Sequence, residues 1–157
     1  MRAIEFLREI KKLDVKINMD IEDLAALEAL STKTTSFPVE DKVQSSGNQQ
    51  KMENCTVKMI ELKNQINAEI DKLIDRKNEA RMLLAVCDAE CMELLHKRYF
   101  MFKTWEQIAV EMNYTYQWVS DGLHRKALSQ FQRALDERGK VNEWTLETAK
   151  DGVQEPE

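Results

Sequence analysis

Apolar side chains recur early in the chain as Phe6, Ile10, Leu13, Ile17, Ile21, Leu24 and Leu27, in steps of three or four, with charged residues between them. That period puts one apolar stripe on a helix and predicts an amphipathic helix over residues 2–30. From Ser31 to Gln50 the period vanishes into Ser, Thr, Gln and Asn with Pro38 and Gly47, which predicts a polar linker. Within it, the Asp41–Ser46 stretch reads as a connector tacked down by Val43; Lys42, Ser45 and Ser46 are its alternative phosphate contacts. A second stripe runs Met52, Cys55, Met59, Leu62, Ile66, Ile70, Leu73, then Lys77, Ala80 and Leu84, predicting one long helix over residues 51–86. Both stripes contain a four-four step, at Leu13-Ile17-Ile21 and at Leu62-Ile66-Ile70. Matching steps joined by a connector predict an antiparallel hairpin, with Ile17 and Ile21 opposite Ile66 and Ile70. Such seams equally suit a second copy of the chain, so a homodimer through the hairpin is an expected arrangement.

The pattern beyond Val86 is punctuated more closely. Asp88 stands where a cap would open a helix over residues 89–100. Thr104 is followed three residues later by Gln107, the spacing of a capping box, and Ile108, Ala109 and Met112 give the next helix an apolar face. Asn113 tolerates the left-handed conformation that ends helices, and Thr115 can cap another. Val119, Leu123, Ala127 and Phe131 then repeat at four-residue spacing, with Gly139 as a usable terminator. Short helix, three-residue turn, longer helix is the order of a helix-turn-helix. Leu94, Leu95, Tyr99 and Phe102 are the expected packing partners from the helix before it, and Trp105 the expected core anchor. The predicted fold is therefore all-α: a long N-terminal helical hairpin over 1–87 with its linker at 31–50, a tri-helical helix-turn-helix head over 88–140, and an acidic tail over 141–157 holding Trp144 and Leu146.

Composition agrees with long helices, since 32% of residues are charged and there are only 4 Gly and 2 Pro. The net charge of -5 excludes a wholly basic nucleic-acid coat, but its distribution is uneven. Between His96 and Lys140 eight Lys and Arg face five Asp and Glu, whereas from Val141 onward one faces five. The basic excess thus coincides with the helix-turn-helix, as an electrostatic footprint should. Three cysteines, no leader and no apolar run of spanning length predict a cytoplasmic protein without a membrane partner. Cys87 and Cys91 lie one helical turn apart near His96, yet no second ligand pair has zinc spacing, so they read as small apolar residues and neither metal nor cofactor is expected.

If the second helix enters a major groove, its outward face does the reading. Steps of about 100° from Val119, Leu123 and Ala127 place Gln117, Trp118, Asp121, His124, Arg125 and Leu128 outward. Tyr116 and Ser120 flank that face. Gln117 suits adenine and Arg125 suits guanine or phosphate. Lys97, Arg98, Lys103, Lys126 and Arg133 are the expected phosphate contacts, joined by the backbone N–H of Thr115 at the helix start.

Residues Thr104-Trp105-Glu106-Gln107-Ile108-Ala109 with Met112, then Thr115, Val119 and Leu123-His124-Arg125, resemble region four of bacterial sigma factors. More closely, the chain to about Arg133 resembles the sigma-region-four-like (ArpU-like) late transcriptional regulators of phages and prophages of Gram-positive bacteria. That match rests on Asp41-Lys42-Val43-Gln44-Ser45-Ser46 with Lys51-Met52, Arg98-Tyr99, Lys103 to Ala109, and Leu123-His124. The resemblance implies double-stranded DNA as ligand, late-gene transcription as target and host RNA polymerase as a further partner. The chain departs from sigma region four in lacking arginines around Tyr116, Trp118 and Ser120, so a standard promoter element is not the expected target. Two other readings compete: a small-terminase-like DNA-packaging protein, and a protein-binding helical adaptor for which Trp118 would be an anchor. An enzyme is not expected, because no phosphate loop and no nucleophile–base pair is present.

Overall fold

The computed structural model describes residues 1–35 and 46–151, with side chains described at 1–33, 47 and 49–142. The connector residues Lys42, Val43 and Ser45, the side chains of Ser46, Trp144 and Leu146, and the end of the tail lie outside that set. Described residues form helices only: α1 (Ala3–Thr35), α2 (Ser46–Leu84), α3 (Ala89–Tyr99), α4 (Trp105–Met112), a π-helical segment (Trp118–Leu123), and α5 (His124–Asp151). The all-α class is thus the observed one. None of these helices is long and apolar enough to cross a membrane.

Three of the helices outrun their sequence signals, and of these α2 begins at Ser46, inside the stretch expected to be linker and ahead of the expected start at Lys51. α1 continues past Leu30, where Thr32 donates its hydroxyl to the Ala29 carbonyl at 2.9 Å, a local bond that leaves the helix intact. α5 passes through Gly139, which the sequence offered as a terminator. No glycine in the described chain has positive φ. A right-handed Gly inside a helix costs only about 1 kcal/mol, and the preceding turn is held by Arg138 on Glu79 at 2.9 Å. The acidic stretch to Asp151 is therefore helical where a frayed tail was expected.

The chain forms two compact units, Lys12–Asp75 and a head made of Met1–Lys11 with the chain from Arg76 onward. In the first, α1 and α2 run antiparallel. Asp20 accepts from Gln65 at 2.9 Å, Lys16 pairs with Glu69, and Lys63 lies 3.2 Å from Glu28. Ile17 and Ile66 are buried in the seam as predicted, but Ile21 is 46% exposed. A four-residue step overshoots a helical turn by about 40°, which carries Ile21 off the seam that Ile17 occupies.

The head takes in the outer turns of both hairpin helices, not only the residues after 87. Phe6, Leu7 and Ile10 of α1 are fully buried, and the Phe6 ring meets that of Phe131 at 5.7 Å between centroids. The Ala3 N–H, unpaired within the first turn of α1, donates to Gln132 Oε1 at 2.6 Å. Arg76 lies 4.9 Å over the Phe6 ring and bridges Glu9 and Glu79, each at 2.9 Å. Leu94, Leu95 and Tyr99 of α3, Ile108 and Ala109 of α4, and Val119, Leu123, Ala127 and Phe131 complete the core. Each fully buried large apolar side chain contributes about 1.5–3 kcal/mol.

Candidate nucleic-acid interface

The helix-turn-helix is built by local bonds that the sequence encodes. Thr104 Oγ1 accepts from the Gln107 N–H at 3.3 Å, and Gln107 Oε1 accepts from the Thr104 N–H at 3.0 Å, so two otherwise unpaired donors at the start of α4 are satisfied. α4 ends where Asn113 turns left-handed, φ 55° and ψ 40°, with its N–H directed at the Ala109 and Val110 carbonyls. Thr115 then accepts from the Trp118 N–H through Oγ1 at 3.3 Å. Its role is that of a cap, and the helix begins at Tyr116.

From Trp118 to Leu123 this second helix is π-helical. Its buried residues explain why a wider turn is tolerated. Val119 and Leu123 are four apart, a spacing that drifts by about 40° on an ordinary helix, and the wider turn absorbs part of that drift. Trp118 and Gly122 provide the packing. A Cβ at Gly122 would fall 2.4 Å from Trp118 Cε3 and 2.5 Å from Cζ3, so the indole lies directly on the glycine backbone. Trp118 nevertheless remains exposed on its outer side, as do Tyr116 and Gln117. Asp121 and Arg125 are exposed one turn further on and form an ion pair at 2.5 Å.

Several expected contacts are committed inside the head instead. His124 does not face outward: it is half-buried, hydrogen-bonded to the Tyr99 hydroxyl at 2.9 Å, and set edge-on to Trp105 at 4.7 Å. Ser120 is half-buried beside it. Lys97 and Lys103 converge on Glu111 at 2.6 and 2.5 Å, which holds the Glu111 carboxyl below its usual range, Lys103 acting most strongly. Arg98 donates to the Lys103 carbonyl at 2.8 Å and lies 4.4 Å over Trp105. Lys126 pairs with Asp88 at 3.1 Å. Of the expected phosphate cations, Arg133 alone is exposed without an ion pair among the described residues. Trp105 is correspondingly half-buried rather than a core anchor, because Arg98 and His124 flank its ring.

Asp88 stands at the N-cap position of α3 but makes no side-chain cap bond. Its carboxylate accepts from Gln130 Nε2 at 2.6 Å while its N–H donates to Gln130 Oε1 at 2.9 Å. This reciprocal pair ties the start of α3 to α5, and with Lys126 it holds the Asp88 carboxyl low. Burial raises the thiols of Cys87 and Cys91, as for small residues packed in a helical head.

The head also holds a cavity of about 350 Å3 that sequence reasoning did not anticipate. Arg8 and Lys11 reach it from α1, Arg98 and Tyr99 from α3, Trp105 from α4 and His124 from α5, with Ile4 and Ser120 closing its walls. Burial, then the charges of Arg98 and Arg8, lower the His124 pKa from 6.5 to about 4. Arg8 and Lys11 lie on the charged face of an amphipathic helix, where nothing local distinguishes them from solvated residues. No protein-family model, curated protein or solved structure matches the chain.

Proposed function

We propose that the protein is a duplex-DNA-binding transcriptional regulator of the phage type, reading DNA through the start of its second helix-turn-helix helix. One observation carries this reading: a capped short helix, a left-handed turn at Asn113 and a Thr115-capped helix present Tyr116, Gln117, Trp118, Asp121 and Arg125 together at the surface. Asp121 holds the Arg125 guanidinium, pre-orienting a fork that suits guanine or phosphate. Because Lys97, Lys103 and Lys126 already have carboxylate partners, backbone contacts fall to Arg133 and the peptide N–H groups near Thr115, and the salt dependence of binding is shallow for such a module. Contact with host RNA polymerase and action on late genes belong to the same proposal, through the resemblance to the phage regulators.

The test is fluorescence anisotropy of the full chain with pooled random duplexes at low salt, followed by selection of a preferred site. Arg125→Gln should then weaken the selected site by about 1–3 kcal/mol while far-UV circular dichroism is unchanged. Absence of duplex binding by the wild type at low salt would overturn the reading. It would favour instead a protein-docking role for the exposed Tyr114, Tyr116 and Trp118, aromatic residues of the kind that anchor interfaces. The hairpin offers a route to a homodimer, since Val15, Met19, Ile21, Val57 and Ile60 remain exposed on it. Light scattering separates that dimer from the ring of subunits that a packaging protein would form.

A further inference from the structure

The cavity in the head has a chemistry that the DNA-reading proposal does not use. Three cationic side chains, Arg8, Lys11 and Arg98, line it, and no carboxylate does. Arg8 and Lys11 make no ion pair among the described residues, so no carboxylate occupies the charge they bring to the cavity. Like charges gathered at the mouth of a pocket raise the local concentration of anions there. Aromatic groups form much of the remaining wall, Tyr99, Trp105 and the His124 ring, with Ile4 beside them and the Ser120 side chain adding a polar group. At about 350 Å3 the space falls within the range of small-ligand pockets and exceeds what a bare inorganic anion fills.

We propose that this cavity is a binding site for a phosphate ester, with the phosphate on Arg8, Lys11 and Arg98 and a flat organic portion against Tyr99, Trp105 and His124. Guanidinium forks suit phosphate oxygens bidentately, and an ammonium supplies a point charge beside them. The suppressed protonation of His124 fits the same picture, because Arg98 and Arg8 act on it and the Asp121 carboxylate opposes them only in part. The ester has two sources, a free mononucleotide or the backbone of bound DNA. The site does not rest on the DNA-reading face, since Gln117, Trp118 and Arg125 do not line it.

The experiment follows the His124 ring resonances of the full chain by NMR during titration with adenosine 5′-monophosphate and, separately, with a short random duplex. The expected result is a saturable shift with the mononucleotide and a rise in the His124 titration midpoint, both weakened at least about tenfold in Arg8→Gln/Lys11→Gln. Those two residues are exposed, so the variant should keep the wild-type circular dichroism and melting curve. Arg125→Gln should leave the mononucleotide isotherm unchanged, whatever it does to duplex binding. A His124 shift with the duplex alone, lost in the same double variant, would uphold the phosphate-ester site and assign it to the DNA backbone. No shift with either probe, or shifts unaffected by removing Arg8 and Lys11, would overturn the proposal.

Discussion

Acid should destabilise the head before its carboxylates begin to titrate, and His124 is the reason. Its pKa falls from 6.5 to about 4 because burial and then the Arg98 and Arg8 charges disfavour the imidazolium. The unfolded chain takes up a proton at this residue below pH 6.5, whereas the folded chain resists until about pH 4. Unfolded protein therefore binds more protons throughout that window, so stability is full above pH 6.5 and declines as pH falls towards 4. At about 1.4 kcal/mol per unit the undiscounted limit is about 3 kcal/mol, and partial exposure of the ring reduces it to about 1–2 kcal/mol.

The assay is urea unfolding at closely spaced pH values from 7.5 down to 5, above the range in which Asp and Glu protonate. His124→Phe keeps a ring beside Trp105 but cannot charge. It leaves the buried Tyr99 hydroxyl without its 2.9 Å partner, at a cost of about 1–3 kcal/mol at neutral pH. Its stability should then be nearly flat between pH 7.5 and 5, the part of the window in which the wild type loses about 1 kcal/mol. A wild-type profile as flat as the variant's would refute the reasoning, as would an equal slope in both. Phosphate-ester binding in the cavity would shrink the wild-type slope by favouring the imidazolium, so the profile should be recorded with and without the mononucleotide.

Phe131→Ala removes a fully buried ring that meets Phe6 at a tilt, and should cost about 3–5 kcal/mol in urea unfolding without altering the unfolded-state baseline. Thr104→Ala deletes the side-chain half of the capping box, the Oγ1 that accepts from the Gln107 N–H, and leaves the backbone N–H of residue 104 on Gln107 Oε1; it should cost about 1 kcal/mol, measurable as a lower melting temperature. Gly122→Ala gains about 1 kcal/mol of helix propensity but expels the Trp118 indole from its seat on the glycine backbone. The expected outcome is a melting temperature near that of the wild type with an altered Trp118 fluorescence spectrum and weakened duplex binding.

What was legible in the sequence was what depends on neighbours a few residues apart. The Thr104–Gln107 box, the left-handed Asn113, the Thr115 cap and the buried Val119-Leu123-Ala127-Phe131 run all obey short-range rules, and all occur as predicted. The same holds for Ile17 and Ile66 in the hairpin seam. Helix ends were less legible because Gly139 carries only a small penalty, which helical continuity and the Arg138–Glu79 pair offset. The π-helical segment left no signal beyond a four-residue spacing that an ordinary helix also uses.

Which charges are available to a ligand was not legible, and the reason is physical. A cation's availability depends on whether a carboxylate reaches it from another helix. Glu111 takes Lys97 and Lys103 across the α3–α4 turn, and Asp88 takes Lys126 across 38 residues of sequence. Meanwhile Arg8 and Lys11, assigned by pattern to a solvated helix face, meet Arg98 around one cavity. A count of basic residues along the helix-turn-helix therefore overstates the unpaired charge it presents and misses the charge gathered around the cavity. If that redistribution is functional, the reading face and the cavity are separable: Arg125→Gln acts on the first and Arg8→Gln/Lys11→Gln on the second. Equal effects of both substitutions on both ligands would mean that the head binds phosphate through diffuse positive charge alone.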